Sequence, residues 1–231
     1  MGANDAKARR GWPNLERVSH ELESHLGAFG SHLVRRRPPL CPELELWLMG
    51  DEVDLEGGCD ALAEGAPPPF WAFCWGSGQA LARYLLDHPQ RVRGLEVVDL
   101  GTGSGIVAVA AARAGATRVL ALDLDPLARR AARLNATLNG VEITPITEAP
   151  ERWDLMLAAD VLYETGLRDW VLGEAARRGP ILLADPLRTG TRPPERPEIA
   201  RIASCTFPDV DSPQQSVSLF EIPMRVGDAV R

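Results

Sequence analysis

The sequence has 231 residues, of which 25 are basic and 32 acidic, giving a formal net charge of −7 at neutral pH. This length favours one well-buried domain with an extension over two ordinary domains. The acidic balance argues against a nucleic-acid partner, because such partners select for a basic surface.

Targeting and cysteine signals are weak throughout the chain. No apolar run approaches membrane-spanning length and no signal-peptide pattern opens the sequence, so we expect a cytoplasmic protein without a membrane partner. The four cysteines show no metal-ligand spacing. We therefore expect free thiols, with neither a metal site nor a disulfide framework.

The chain is predicted to consist of an extension, one α/β domain and a short tail. The extension covers residues 1–66 and contains a loose start, a helix over 14–30 and a strand over 43–49. The domain covers 67–225 and the tail 226–231. Within the domain, Ser77 is the expected N-cap of a helix that ends before Pro89.

Strands and helices alternate regularly from residue 95 onward. The predicted strands are 95–100, 118–123, 141–146, 153–159 and 180–185, and the predicted helices are 104–114, 126–139 and 164–177. Short apolar strands separated by helices predict a parallel sheet covered on both faces. Segments 199–207 and 216–223 predict an antiparallel strand pair at its edge. The expected fold class is thus α/β, a doubly wound, Rossmann-like sheet of seven strands with an N-terminal extension.

The motif DLGTGSG at residues 99–105 follows the first domain strand and precedes a helix. Gly101 and Gly103 allow the backbone to turn tightly and to approach a ligand, and Gly105 allows the start of the helix to pack close to the strand. The next strand ends at Asp123, whose carboxylate can accept hydrogen bonds from both hydroxyls of a ribose. This pattern is typical of a site for an adenosine-containing cofactor.

Two cofactor classes compete for this motif. A dinucleotide fingerprint that begins at Gly101 requires glycine at 106, where the sequence has Ile106; a register that begins at Gly103 is formally allowed but places the turn inside the helix. Asp99 at the strand end would attract the cationic amine of S-adenosylmethionine and repel a pyrophosphate. The residues therefore favour S-adenosylmethionine.

A second polar cluster, DVLYE at residues 160–164, follows the strand over 153–159. If that strand neighbours the first, Asp160 and Tyr163 face the same crevice as Asp99, because ligands bind at the carboxyl ends of such strands. The alternative is that Asp160 only caps the helix over 164–177.

The chain resembles the seven-β-strand methyltransferases of the electron-transfer-flavoprotein β-subunit lysine methyltransferase family. The resemblance covers residues 42 to 191 and depends on the segment PPFWAFCWGSGQALARYLL at 68–86, the glycine motif, DLDP at 123–126 and DVLYE at 160–164. It departs from the family pattern at Ser77, at Leu162 and in a shortened segment after Pro186.

The resemblance implies S-adenosylmethionine as cofactor and a protein lysine as acceptor, with the electron-transfer-flavoprotein β-subunit as the first candidate partner. The implied cofactor residues are Trp75, Gly76, Gln79, Asp99, Gly101, Thr102, Gly103, Gly105, Asp123 and Leu124. On the acceptor side, Asp160, Tyr163 and Glu164 can orient the amine and offset developing positive charge, with proton loss to water. A nucleic-acid or small-molecule methyltransferase and a non-catalytic cofactor-binding module remain the alternatives.

Overall fold

The computed structural model describes residues 32–50, 69–188, 191–208 and 214–225. The predicted loose start, the helix over 14–30 and the tail at 226–231 lie outside these residues. Nearly all described residues belong to one compact unit, which includes Val34–Met49 and continues from Pro69.

Nine strands are found in the described part of the chain. They are β1 (Leu33–Arg36), β2 (Leu46–Met49), β3 (Glu96–Leu100), β4 (Arg118–Leu122), β5 (Thr144–Ile146), β6 (Leu155–Ala159), β7 (Ile181–Asp185), β8 (Glu198–Ser204) and β9 (Gln215–Ile222). β1 and β2 form a small sheet, and the other seven form the main sheet in the order β5-β4-β3-β6-β7-β9-β8. The first five of these are parallel, whereas β9 is antiparallel to both β7 and β8. The predicted fold class is confirmed.

The helices also follow the prediction, with shifts at their ends. They are α1 (Gly76–Asp87), α2 (Ile106–Arg113), α3 (Pro126–Leu138), α4 (Thr165–Trp170) and α5 (Ala176–Arg178). A π-helical segment, Val171–Ala175, separates α4 from α5, so the predicted helix over 164–177 is not one regular α-helix. The side chain of Asp125 caps α3 by accepting a hydrogen bond from the Leu127 N–H, as proline at the first helical position predicts.

The predicted cap of α1 is wrong. The N-cap is Trp75, which is extended, and Ser77 lies buried in the first helical turn with its hydroxyl lacking a partner among the described residues. The preceding Cys74 forms a β-bridge with Phe207. That bridge keeps the chain extended up to Trp75, so the helix begins before Ser77 can occupy the cap position.

The central strands send alternate side chains into two separate hydrophobic layers. In β3, Val97 belongs to one layer and Val98 to the other, and both are fully buried. In β7, Leu182 and Leu183 divide in the same way. Strands that bury both faces read as continuous apolar runs, which is why the sequence indicated a covered parallel sheet.

Asn135 in α3 and Asn139 at the C-cap of this helix attach the segment around β2 to the domain. Asn135 accepts a hydrogen bond from the Trp47 N–H at 2.7 Å and donates to the Ser104 carbonyl at 2.8 Å. Asn139 donates to the Glu45 carbonyl at 2.7 Å and accepts from the Glu45 N–H at 3.0 Å. The predicted boundary at residue 66 therefore separates segments that the structure packs together.

Candidate functional site

Acidic residues stand at the carboxyl ends of four neighbouring parallel strands. They are Asp99 in β3, Asp123 after β4, Asp160 after β6 and Asp185 in β7. Because the sheet order is β4-β3-β6-β7, these carboxylates lie along one edge of the sheet. Residue Asp99 pairs in register with Leu157, which confirms the predicted adjacency of the two strands.

Asp99 is almost completely buried, with 2% of its surface exposed. Its Oδ2 accepts hydrogen bonds from the Thr102 hydroxyl at 2.7 Å and the Ala108 N–H at 3.1 Å. Burial raises the pKa of this carboxyl to about 7, although both hydrogen bonds act in the opposite direction. Among the described residues no hydrogen bond ends on Oδ1, so this oxygen is available to a cationic ligand.

The glycine turn has the backbone conformation that its composition predicts. Gly101, Gly103 and Gly105 all have positive φ angles, of 65°, 50° and 81°. Residues that carry a Cβ atom rarely adopt this backbone region, which favours glycine at each position. At Gly105 the reason for glycine differs from the predicted one, because a Cβ there would lie 2.7 Å from the Cα of Ala132 in α3 rather than against the strand.

The contact at Gly105 leads to a stability prediction. We expect Gly105→Ala to reduce the free energy of unfolding more than Gly140→Ala, by roughly 1–3 kcal/mol, the usual cost of overpacking. Gly140 is the matched control, since its φ is +67° and nothing lies within 4 Å of a Cβ built there. Urea denaturation of both variants measures the difference. Equal destabilisation would mean that α3 moves away at no cost.

Asp123 holds the turn in place through its carboxylate. Oδ2 accepts a hydrogen bond from the Gly103 N–H and Oδ1 from the Asp125 N–H, each at 3.0 Å. A carboxylate has room for about four hydrogen bonds, so acceptor positions remain for ribose hydroxyls. The next residue, Leu124, is 88% exposed. An apolar side chain in this position provides a surface against which a flat base can pack.

The start of α1 lies beside the glycine turn. A Cβ on Gly78 would lie 3.3 Å from Ile106, the first residue of α2. Trp75 packs against Phe70 with ring centroids 5.9 Å apart. Gln79 is fully buried and bridges two backbone segments, accepting from the Leu40 N–H at 3.3 Å and donating to the Cys205 carbonyl at 2.6 Å. The cofactor roles of Trp75, Gly76 and Gln79 stay predictions.

Asp160 and Tyr163 follow β6 at the same edge of the sheet. Asp160 has a left-handed backbone with φ of 57°, and its N–H donates to the Ala184 carbonyl of β7 at 3.0 Å. Tyr163 is 68% exposed. Its hydroxyl is therefore accessible to a protein methyl acceptor that approaches from solvent. Asp160 does not cap the following helix, and the capping alternative for it is wrong.

The cap of α4 is Glu164, whose carboxylate accepts hydrogen bonds from the N–H groups of Gly166 and Leu167. Both carboxylate oxygens are used in this way. Local capping therefore accounts for Glu164 within the fold, one residue before the helix and not at its predicted first position, and its catalytic role stays a prediction.

Two residues of the site escaped the sequence reasoning. Asp185 is buried and accepts hydrogen bonds from the Leu162 N–H at 3.2 Å and the Leu187 N–H at 2.8 Å. Burial, the largest cause, raises the pKa of Asp185. Arg188 pairs with Asp160. The position of Asp185 at a strand end was a usable signal, whereas nothing in the sequence paired Arg188 with Asp160.

Neither a membrane-spanning helix nor a metal-binding group of side chains is present in the described residues. None of the helices there is long and apolar enough to cross a membrane. In the same part of the chain, no group of three or more His, Cys, Asp or Glu side chains is placed to hold a metal ion.

Comparisons with known proteins point to methyltransferases. Residues 79–163 match the family model described as ribosomal protein L11 methyltransferase (PrmA). Electron transfer flavoprotein beta subunit lysine methyltransferase from Xenopus laevis is 38% identical over 68% of this chain and 68% of its own length. The human protein of that name is 46% identical over 44% of this chain and 41% of its own length. The chain thus spans less than half of the human relative.

Among solved structures, ribosomal protein L11 methylase from Lactobacillus delbrueckii subsp. bulgaricus has a TM-score of 0.44 and 21% identity. The structural alignment covers 62% of this chain and 77% of that protein.

Proposed function

Because this chain belongs to the electron transfer flavoprotein beta subunit lysine methyltransferase family, we propose that it transfers a methyl group from S-adenosylmethionine to the side-chain amine of a protein lysine. The observation that carries the proposal is the juxtaposition of Asp99 and Asp160 at the ends of the paired strands β3 and β6. One carboxylate is suited to a cationic cofactor and the other to an amine acceptor.

The residues present fit S-adenosylmethionine. Oδ1 of Asp99 can accept the methionine ammonium, since its other oxygen already binds Thr102 and Ala108. Asp123 has acceptor capacity for the ribose, and the exposed Leu124 can contact the adenine. Bare backbone at Gly101 and Gly103 leaves room for the ligand, because a Cβ at Gly101 would have nothing within 4 Å.

Bound S-adenosylmethionine supplies a sulfonium methyl group, which forms a bond to the amine nitrogen while the carbon–sulfur bond breaks and its electron pair stays on sulfur, leaving S-adenosylhomocysteine. The chain's own residues align the acceptor for this substitution. Asp160 accepts a hydrogen bond from the lysine amine, and the Tyr163 hydroxyl contacts it from the solvent side. The lysine ammonium first loses a proton to water, because only the neutral amine carries a free electron pair.

The proposed partner is the electron transfer flavoprotein β-subunit. Its support is the name carried by the relatives that match this chain. The acidic net charge of −7 also suits a cationic side chain better than a phosphate backbone.

Methyl-labelled S-adenosylmethionine tests the proposal. Lys7 is the only lysine of the chain, so a Lys7→Arg variant contains no lysine and any labelled methyl-lysine must come from the partner. This variant is incubated with purified electron transfer flavoprotein β-subunit and, separately, with an extract of cells that lack the methyltransferase. We expect label on a protein band and, after acid hydrolysis, on methylated lysine.

Nuclease treatment of the extract separates the alternatives. Label that disappears with nuclease, or that is found only in small molecules, would contradict the protein-lysine proposal. Bound S-adenosylhomocysteine without any transfer would favour a non-catalytic module. Label on other proteins but none on the β-subunit would reject the partner and keep the reaction.

A further inference from the structure

Arg188 forms a two-point ion pair with Asp160 at the proposed acceptor site. Its Nη1 donates to Oδ1 and its Nη2 to Oδ2, the latter at 3.0 Å. The Asp160 side chain is 13% exposed and that of Arg188 is 40% exposed. The guanidinium is therefore the more exposed partner of this pair, at the end of β6 where a lysine acceptor would arrive.

Both turns that carry this pair have unusual backbone conformations. Asp160 after β6 has φ of 57°, and Leu187, next to Arg188, has φ of 51°. Residues other than glycine keep the left-handed conformation only where their surroundings hold it. Here the Asp185 carboxylate accepts the N–H groups of Leu162 and Leu187 and so connects the two turns.

Arg188 places a positive charge beside the carboxylates of this part of the described chain. Asp160 and Arg188 both influence Asp185 through their charges, in opposite directions. The remaining titratable groups on these turns are Tyr163, which is exposed, and Glu164, whose carboxylate is occupied by the cap of α4. Without the guanidinium, Asp160 would lose the ion pair that offsets its charge, and Asp185 would lose the favourable charge interaction with Arg188.

We propose that Arg188 is a positioning residue that offsets the charge of Asp160, so that a lysine amine can lie beside this carboxylate in its neutral, reactive form. The inference rests on the proposed function. A carboxylate without a partner stabilises the ammonium form, since an opposite charge within about 4–6 Å favours the charged state of a group by ~1–3 pKa units. Such a site would bind lysine well and methylate it slowly.

The test is the pH dependence of methylation by Arg188→Gln, measured from pH 7 to pH 10 at saturating cofactor with the labelled protein acceptor. We expect the midpoint of the rise in kcat to move up by about one pH unit. At pH 7 kcat should fall about tenfold, KM for the acceptor should stay constant or decrease, and affinity for S-adenosylhomocysteine should not change. Loss of a purely structural contact would lower kcat without moving the midpoint.

Two further variants keep the test independent of folding. Arg188→Lys retains the charge without the two-point fork, so its midpoint should lie between those of the wild type and Arg188→Gln. Arg118→Gln is the matched control, because Arg118 pairs with Glu96 at 3.0 Å at the amino ends of β4 and β3, the opposite edge of the sheet. Its midpoint should equal that of the wild type.

The outcomes distinguish a failure of this inference from a failure of the proposed function. A wild type that methylates lysine and an Arg188→Gln variant with the same midpoint would overturn the inference alone. A midpoint that moves down in Arg188→Gln would overturn it as well. A wild type that makes no methyl-lysine would overturn the proposed function, and this inference with it.

Discussion

Asp99→Asn is expected to abolish most cofactor binding while making the folded protein more stable above pH 7. The ammonium of S-adenosylmethionine would lose its charged partner, which corresponds to about 1.5–3 kcal/mol, or roughly 10- to 150-fold in affinity. In the wild type, affinity for S-adenosylhomocysteine should rise as the pH increases through about 7, the pKa to which burial raises this carboxyl. In the variant this rise should disappear.

The stability gain follows from the same pKa. The folded state holds the Asp99 proton up to a pKa of about 7, whereas the ordinary value is 3.8. Folding therefore binds a proton between these pH values, and the free energy of unfolding falls as the pH rises through this window. The total loss is roughly 4 kcal/mol, at 1.36 kcal/mol per pKa unit. Asparagine does not titrate, so the variant escapes this loss.

The substitution is conservative in its hydrogen bonds. Thr102 and Ala108 both donate to Oδ2, so one amide oxygen can satisfy both donors and the amide nitrogen takes the place of Oδ1. Urea denaturation from pH 4 to pH 8 should show a difference between variant and wild type that grows up to pH 7 and is constant above it. Calorimetry with S-adenosylhomocysteine measures the cofactor affinity of both proteins.

Asp125→Asn is the matched control for both measurements. Asp125 lies near the glycine turn and caps α3, and asparagine caps a helix about as well as aspartate. Cofactor affinity should not change in this control, and its free energy of unfolding should stay close to that of the wild type. Full cofactor affinity in Asp99→Asn would place the ammonium elsewhere, and a difference in stability that does not depend on pH would mean that burial leaves Asp99 ionised.

The parts of the fold and site that depend on local chemistry were predictable from the sequence. Gly101 and Gly103 need positive φ wherever they occur in such a turn. β3 and β4 are buried on both faces, so their sequences are apolar apart from their first residues and Asp99. Asp99 and Asp123 follow directly from these strand ends. The adjacency of β3 and β6 needed an assumption about strand order, and the structure confirmed it.

The parts that depend on distant contacts were not predictable. Serine is a residue type that commonly caps helices, which is why Ser77 was the predicted cap. In the structure a β-bridge holds Cys74 extended, and α1 begins at Gly76, before Ser77. Asn135 looks like an ordinary helical residue, yet it binds backbone groups 88 and 31 residues away. Arg188 lies 28 residues after Asp160. Such pairings appear only when the tertiary structure brings two turns together, because spacing along the chain carries no trace of them.

Changes on the acceptor side are expected to affect turnover and leave cofactor affinity unchanged. Asp160→Asn keeps the left-handed backbone, which asparagine tolerates as well as aspartate does, and removes only the charge. The lysine amine then loses its charged acceptor and lies beside the guanidinium of Arg188, whose charge is no longer offset. We expect kcat to fall at least about 100-fold, the lower end of the effect of removing one group that stabilises developing charge. Tyr163→Phe removes one exposed hydroxyl and should have a smaller effect of the same kind.

Single-turnover methylation of the labelled acceptor and calorimetry with S-adenosylhomocysteine measure the two quantities separately. Asp87→Asn is the matched control, since Asp87 also pairs with an arginine, Arg83, at 2.7 Å but lies at the far end of α1 with an exposed side chain. It should retain both turnover and cofactor affinity. If Asp160→Asn loses cofactor affinity instead, β6 contributes to the cofactor side of the crevice; if it retains full turnover, the carboxylate serves only to hold Arg188 and the turn after β7.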